Sequence, residues 1–241
     1  MIELKNISFS YESGRQVLKN VSFSIADGES VGLIGANGAG KSTLMKILLG
    51  LLYPGGGEAA VDGVRIEKKS LPEIRRRLGF VLQDSDNQMF MPTVWEDLLF
   101  APLNYGLTRP EAERRAMTAL ETLGITELKD RYNHKISGGE KRMAAIAVVL
   151  AMEPSARLMD EPTTALDPYN RRTVINAVNA LPQTKLIASH DLDMILDCCS
   201  RVILLSGGQI AADGPAETIL RDKALLEANR MELPLALAGR G

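Results

Sequence analysis

The stretch Val31-Gly32-Leu33-Ile34-Gly35-Ala36-Asn37-Gly38-Ala39-Gly40-Lys41-Ser42 decides how this chain is read. Its first half, VGLIG, is a short continuous apolar run, the pattern of a strand buried on both faces of a parallel sheet. From Gly35 to Ser42 it fits G-x-x-x-x-G-K-[ST] at every position, and it runs on into a helical stretch, Lys41 to Leu49. The glycines permit backbone conformations that aim successive N–H groups at phosphate oxygens, and the helix N-terminus adds a favourable dipole. Lys41 brings its ammonium to the β- and γ-phosphates, and the Ser42 hydroxyl is placed to ligate Mg²⁺. The segment reads as a nucleoside-triphosphate-binding loop.

Upstream, Val21, Phe23 and Ile25 alternate with Ser22, Ser24 and Ala26, the period-2 signature of a half-buried strand, and Asp27-Gly28 is a turn signal. Downstream, short apolar runs recur at Gly79 to Gln83, Arg157 to Asp160, Lys185 to His190 and Arg201 to Leu205. Stretches long enough for helices separate most of them, which indicates an α/β architecture with a mainly parallel sheet. From about Thr93 to Met152 no strand-like run is present. There Thr108 and Glu111 have capping-box spacing, Ala112, Ala116, Leu120 and Leu123 follow at helical spacing, and Gly124 is a stop. This part reads as a helical lobe inserted into the core. Gly55-Gly56-Gly57 reads as a flexible loop.

Composition narrows the classes. The 241 residues carry 28 Lys+Arg and 30 Asp+Glu, a net charge of −2, and are 45% hydrophobic with 5% aromatics. Such a chain can bury a sizeable core, so disorder and a disulfide-stapled mini-protein are excluded. Near-neutral charge and few aromatic rings also argue against a dedicated nucleic-acid binder. Cys198 and Cys199 are adjacent, with no spaced partners for a disulfide frame or a zinc site. The opening MIELKNISFS has no signal-peptide pattern. The longest uncharged run, Met143 to Met152, is half of the roughly 20 residues that cross a bilayer.

Two further signals carry chemistry. In Leu158-Met159-Asp160-Glu161-Pro162 an apolar strand delivers two acids. Beside a phosphate loop, Asp160 suits a Mg²⁺-holding carboxylate and Glu161 a general base facing the attacking water. In Ser137-Gly138-Gly139-Glu140 the spacing of Ser137 and Glu140 is that of a capping box. The same residues could form a second anion site at a helix N-terminus, and spacing alone does not choose between the two.

Together these motifs resemble the ATP-binding cassette (ABC) ATPases over nearly the whole chain. Gly35, Asn37, Gly38, Ala39, Gly40, Lys41, Ser42 and Thr43 resemble the Walker A loop, and Tyr11 the aromatic residue that stacks on adenine. Gln83 resembles the Q-loop glutamine, and Ile136 to Glu140 the LSGGQ signature. Asp160 and Glu161 resemble the Walker B acid and catalytic base, Thr164 to Asp167 the D-loop, and His190 the switch histidine. The resemblance implies a RecA-like P-loop core (1–92 and 153–225) with an N-terminal antiparallel β subdomain, a helical lobe (93–152) and a C-terminal tail (226–241). It implies ATP as ligand, and Mg²⁺ held by Ser42, Gln83 and Asp160. Catalysis falls to Glu161 with His190, Lys41 and Gln83. It also implies head-to-tail closure of two cassettes, in which Ser137, Gly138 and Gly139 meet the nucleotide of the other copy; Glu140 then stands near phosphate charge, and Asp167 also counts among the nucleotide-binding residues. Ser137 then caps its helix when the pair is open and contacts the γ-phosphate when it is closed.

This chain departs from the family pattern at Glu140, which stands where Gln is usual. A carboxylate near phosphate repels it, so weaker closure and a gain of ATPase activity in Glu140→Gln are expected. Arg157 replaces an apolar residue in the Walker B strand and is expected to be paired, near a strand end or snorkelling. After Gln83, Asp84-Ser85-Asp86-Asn87-Gln88-Met89-Phe90 looks like the post-Q-loop segment of the cobalt/energy-coupling-factor importer ATPases. That branch implies a cytoplasmic subunit, peripheral on the inner membrane face, whose groove near Gln83 to Phe90 receives a coupling helix from a transmembrane partner. The tail Met231 to Leu235 resembles one that helps pair the ATPases. Two other readings are a soluble ABC ATPase and a non-hydrolysing regulatory subunit. The 94 residues between Ser42 and Ser137 hold no coiled-coil insertion, which disfavours the first, and Glu161 and His190 disfavour the second.

Overall fold

The computed structural model describes residues 1–12, 14–181 and 184–239. Its chain order is β1 (Ile2–Ser10), β2 (Gln16–Ile25), β3 (Ser30–Ile34), α1 (Lys41–Leu48), β4 (Gly56–Val61), β5 (Val64–Arg65), α2 (Leu71–Arg77) and β6 (Leu78–Val81). Then follow α3 (Val94–Asn104), α4 (Arg109–Leu123), α5 (Gly138–Ala151), β7 (Ala156–Asp160), α6 (Pro168–Ala180), β8 (Thr184–Ala188) and α7 (Leu192–Cys198). The chain ends with β9 (Arg201–Ser206), β10 (Gln209–Pro215), α8 (Ala216–Arg221), α9 (Lys223–Ala228) and α10 (Leu235–Ala238).

Two sheets result. An antiparallel sheet has the order β2-β1-β4-β5; the other has the order β10-β9-β3-β8-β7-β6, parallel except for the β9–β10 pair. Alternation along each parallel strand splits its side chains between two cores. Val31, Leu33, Leu158, Leu186, Ile203 and Leu205 pack with α1 and the antiparallel sheet. Ile34, Met159, Ile187, Val202 and Leu204 pack with the helices of the opposite face. Both faces are covered, which is why these strands read as unbroken apolar runs. Truncating one fully buried member, such as Leu186→Ala, costs ~2–5 kcal/mol.

The helical stretch lies between β6 and β7. A capping box between Thr93 and Glu96 starts α3, and α5 is buried on nearly all sides. In α4, Ala112, Ala116, Leu120 and Leu123 all face the core, and Gly124 ends the helix at φ 65°. The capping box expected of Thr108 and Glu111 does not form: Thr108 caps without a side-chain bond. Glu111 turns instead to Arg114 (2.7 Å) and Arg115 (3.0 Å), ion pairs that hold its carboxyl down at about 2. The triple glycine also departs from expectation. Gly56 and Gly57 begin β4, and Gly57 at φ 85° brings the strand so close to β1 that a Cβ there would lie 2.3 Å from Lys5 O. Gly57 serves a close backbone approach rather than mobility.

Arg157, the second residue of β7, is buried, and burial lowers its guanidinium pKa to about 10.

Candidate functional site

Four parallel strands deliver their C-terminal ends to one edge, where α/β sheets characteristically bind ligands. β3 leads into Gly35 to Gly40, β6 leads to Gln83, β7 ends on Asp160 followed by Glu161, and β8 is followed by Ser189 and His190. There Asn37 to Thr43, Gln83, Asp160, Glu161 and His190 line a cavity of about 660 Å³ together with Tyr11, Arg15, Val17 and Thr164.

The glycine loop curls around Lys41. Gly35, Gly38 and Gly40 all have positive φ, and α1 starts at Lys41 with no side chain satisfying its first N–H groups. Those donors stay open to an anion. Lys41 is buried, and its Nζ donates to Gly35 O at 2.5 Å and stands 3.3 Å from His190 Nε2. Burial lowers its pKa, against the opposing pull of Glu161 and Asp160. A phosphate here would replace the carbonyl and imidazole contacts with charge-assisted bonds.

Asp160 is buried, and burial raises its pKa while a hydrogen bond with Ser42 opposes the rise. Glu161 has φ 50°, an unusual conformation for a non-glycine residue, and its buried side chain lines the cavity. Its Oε2 accepts from Ser189 Oγ (3.1 Å) and Thr164 Oγ1 (3.3 Å), and both its oxygens accept from His190 N (3.1 and 3.2 Å). Arg142, buried at the start of α5, donates to Glu161 O and Leu82 O, tying the turn after β7 to the end of β6. Behind His190, Asp191 is held by a bidentate pair with Arg171 (2.6 and 2.7 Å) and by Thr163 Oγ1.

Tyr11 is 40% exposed, leans edge-on against Phe9 at 4.9 Å and shares a hydrogen bond of 3.1 Å with Thr43 Oγ1. Its exposed ring lines the cavity, where a planar ligand can stack on it.

The signature residues are not part of this cavity. Ser137 and Glu140 form a complete capping box, with Ser137 N donating to Glu140 Oε2 at 2.7 Å and Glu140 N donating to Ser137 Oγ at 3.3 Å. Gly138 opens onto a different cavity, shared with Gln83 and Thr164 to Leu166. Asp167 caps α6, accepting from Tyr169 N and Asn170 N at 2.9 Å. Asn170 in turn lies so close to Gly139 that a Cβ there would meet Nδ2 at 2.7 Å. One chain therefore gathers Tyr11, the glycine loop, Gln83, Asp160, Glu161 and His190 in one place, and Ser137 to Glu140 with Asp167 in another.

Sequence reading gave no role to Arg15, Ser189 or Arg142, and it placed Thr164 only in the D-loop, not against Glu161. A cation opening the apolar run Met143 to Met152 was the available signal for Arg142.

The ABC transporter family model matches residues 18–164. The energy-coupling factor transporter ATP-binding protein EcfA of Methanothermobacter thermautotrophicus is 41% identical over 239 residues, covering 97% of this chain and 77% of the relative. Among solved structures, cbiO1 of Clostridium perfringens, part of the cbiONQ ABC transporter complex, superposes with a TM-score of 0.84 at 33% identity, over 94% of this chain and 93% of that one. A dimeric ATP-binding cassette in a post-hydrolysis state, bound to ADP and Pi, superposes with a TM-score of 0.81 at 29% identity, over 90% and 99%.

Proposed function

We propose that this chain, which belongs to the ABC transporter family of ATP-binding proteins, powers import of a metal ion or vitamin as an ATPase of an energy-coupling-factor-type complex. The chain is an ABC ATPase, a subunit that works with membrane transporter subunits and pairs with a second cassette. No described helix is long and apolar enough to cross a membrane.

The import reading is carried by the segment after Gln83. Gln88 clamps it, accepting from Leu82 N at 3.0 Å and donating to Ala145 O at 2.6 Å. Asp97, 2% exposed, accepts from Phe90 N, Met91 N and Asn133 Nδ2. Held in this way, Phe90 is 63% exposed beside Phe100, ring centroids 4.8 Å apart, with Leu103 exposed on the same helix as Phe100. Exposed aromatic anchors on a fixed frame suit a partner helix. In this reading the coupling helix of the membrane subunit seats there, at the peripheral cytoplasmic face. Pull-down from native membranes tests it. Wild type should retain membrane subunits, and Phe90→Ala/Phe100→Ala should lose them while still binding ATP. Equal retention would remove the docking site.

For the reaction, Tyr11 stacks on adenine, the loop N–H groups and Lys41 hold the β- and γ-phosphates, and Glu161 accepts the proton of the attacking water. His190 and Ser189 keep the Glu161 carboxylate aimed. Ser42, Gln83 and Asp160 offer hard oxygen donors on one cavity wall, a set that fits Mg²⁺. Held there, the ion would supply charge neutralisation at the phosphate oxygens. Because Ser137 to Glu140 lie apart from the cavity of their own chain, two copies closing head-to-tail complete each centre.

A further inference from the structure

One cation of the nucleotide cavity is left without a task. Arg15, between β1 and β2, lines the cavity beside Tyr11 and Val17, its Nη2 3.9 Å from where a Cβ on Gly38 would stand. It is exposed, and among the described residues no carboxylate pairs with it. The cavity's other cation, Lys41, is buried and already bonded to Gly35 O.

Glu140 presents the opposite case. Its carboxylate accepts from Ser137 N through Oε2 and also interacts with the Ser137 hydroxyl, but among the described residues no cation forms an ion pair with it. Arg131 is near enough to act on it electrostatically but forms no ion pair with it. Brought against phosphates, this carboxylate alone would oppose closure.

We propose that Arg15 of one copy pairs with Glu140 of a second copy across bound nucleotide, and that this contact sets the strength of closure. The inference rests on the head-to-tail reading above. A signature facing the glycine loop brings Glu140, three residues beyond Ser137, to the rim where Arg15 stands beside Gly38. The pair is isologous, so each closed dimer contains it twice and its effect is doubled. Arg15 also offsets the phosphate repulsion, so the gain expected of Glu140→Gln is realised only when Arg15 is removed.

The test is a double-mutant cycle on ATP-dependent dimerisation of the full chain, in a Glu161→Gln background, by analytical ultracentrifugation. Arg15→Gln alone should weaken pairing about tenfold, and by less than about twofold once Glu140→Gln is present. Glu140→Gln retains the capping box, so helix α5 keeps its start. ATP affinity is measured separately on chain diluted below the pairing range. Equal losses of pairing in both backgrounds overturn the proposal. So does a loss of ATP affinity that matches the loss of pairing, which would make Arg15 a phosphate ligand. If the Glu161→Gln parent does not pair on adding ATP, the head-to-tail reading itself fails and takes this contact with it.

Discussion

The backbone N–H of His190 donates to both carboxylate oxygens of Glu161, at 3.1 and 3.2 Å, while its ring Nε2 stands 3.5 Å from Oε1 and 3.3 Å from Lys41 Nζ. Residues from three strand ends thus meet around one carboxylate. Glu161→Gln keeps the shape and the N–H contacts but cannot accept a proton. ATP turnover should fall about 10²–10⁴-fold, the range for loss of a general base. Gel filtration with ATP should show the variant accumulating as a dimer. Wild-type turnover would remove Glu161 as the base.

Lys41→Ala removes the buried cation at the centre of the loop. Charge-assisted hydrogen bonds contribute ~1.5–3 kcal/mol, so ATP affinity should drop about 10–100-fold. Isothermal titration measures this, and an unchanged affinity would mean that the loop N–H groups alone hold the phosphates.

The glycine loop, the acid pair and the terminal histidine were legible because each is a short contiguous motif at a strand end, where phosphate chemistry leaves few residue choices. Contacts between segments distant in the chain were not. Arg142 reaches back to Leu82 and forward to Glu161; a cation opening an apolar run hints at a buried charge but not at these partners. Glu111 had the spacing for a cap, but Arg114 and Arg115, one turn on, compete successfully for it. Gly57 looked like loop because its reason, the backbone of Lys5 and Asn6, lies about fifty residues away in β1 and becomes visible only when the strands pair.

Asp97 provides a pH test of the frame beneath Phe90. Burial raises its pKa, with Met91, Asn133 and Phe90 donating against the rise. A carboxyl with a raised folded-state pKa binds a proton more readily when folded, so its contribution to stability grows as pH falls from neutral towards the unfolded carboxylate range, about 3.9. Urea unfolding of wild type and Asp97→Asn should therefore show the wild-type advantage increasing from pH 7 to pH 5. Asp97→Ala, which strands three donors, should cost ~2–4 kcal/mol at both pH values. A constant difference for Asp97→Asn would mean that Asp97 stays ionised throughout.

The tail after α9 is docked rather than loose. Met231 and Leu233 pack against the helical core, and the Asp193 carboxylate, on α7, accepts from Leu235 N (3.1 Å) and Ala236 N (2.8 Å). The docked segment borders a cavity that also includes Asn37 and His190, so it lies beside the glycine loop and the switch position. Leu235 is 83% exposed, an apolar side chain presented outward by a fixed backbone. Deleting the residues after Ala228 removes the packing of Met231 and Leu233, worth about 1 kcal/mol each, along with buried Pro234, and should lower Tm by at least roughly 4–8 °C in a chain of this size. If the tail pairs the cassettes, ATP-dependent dimerisation should weaken about tenfold or more, beyond what a folded but less stable chain would show. Sedimentation at a temperature well below both melting points separates the two effects. Unchanged dimerisation there would reduce the tail to a local clamp on α7.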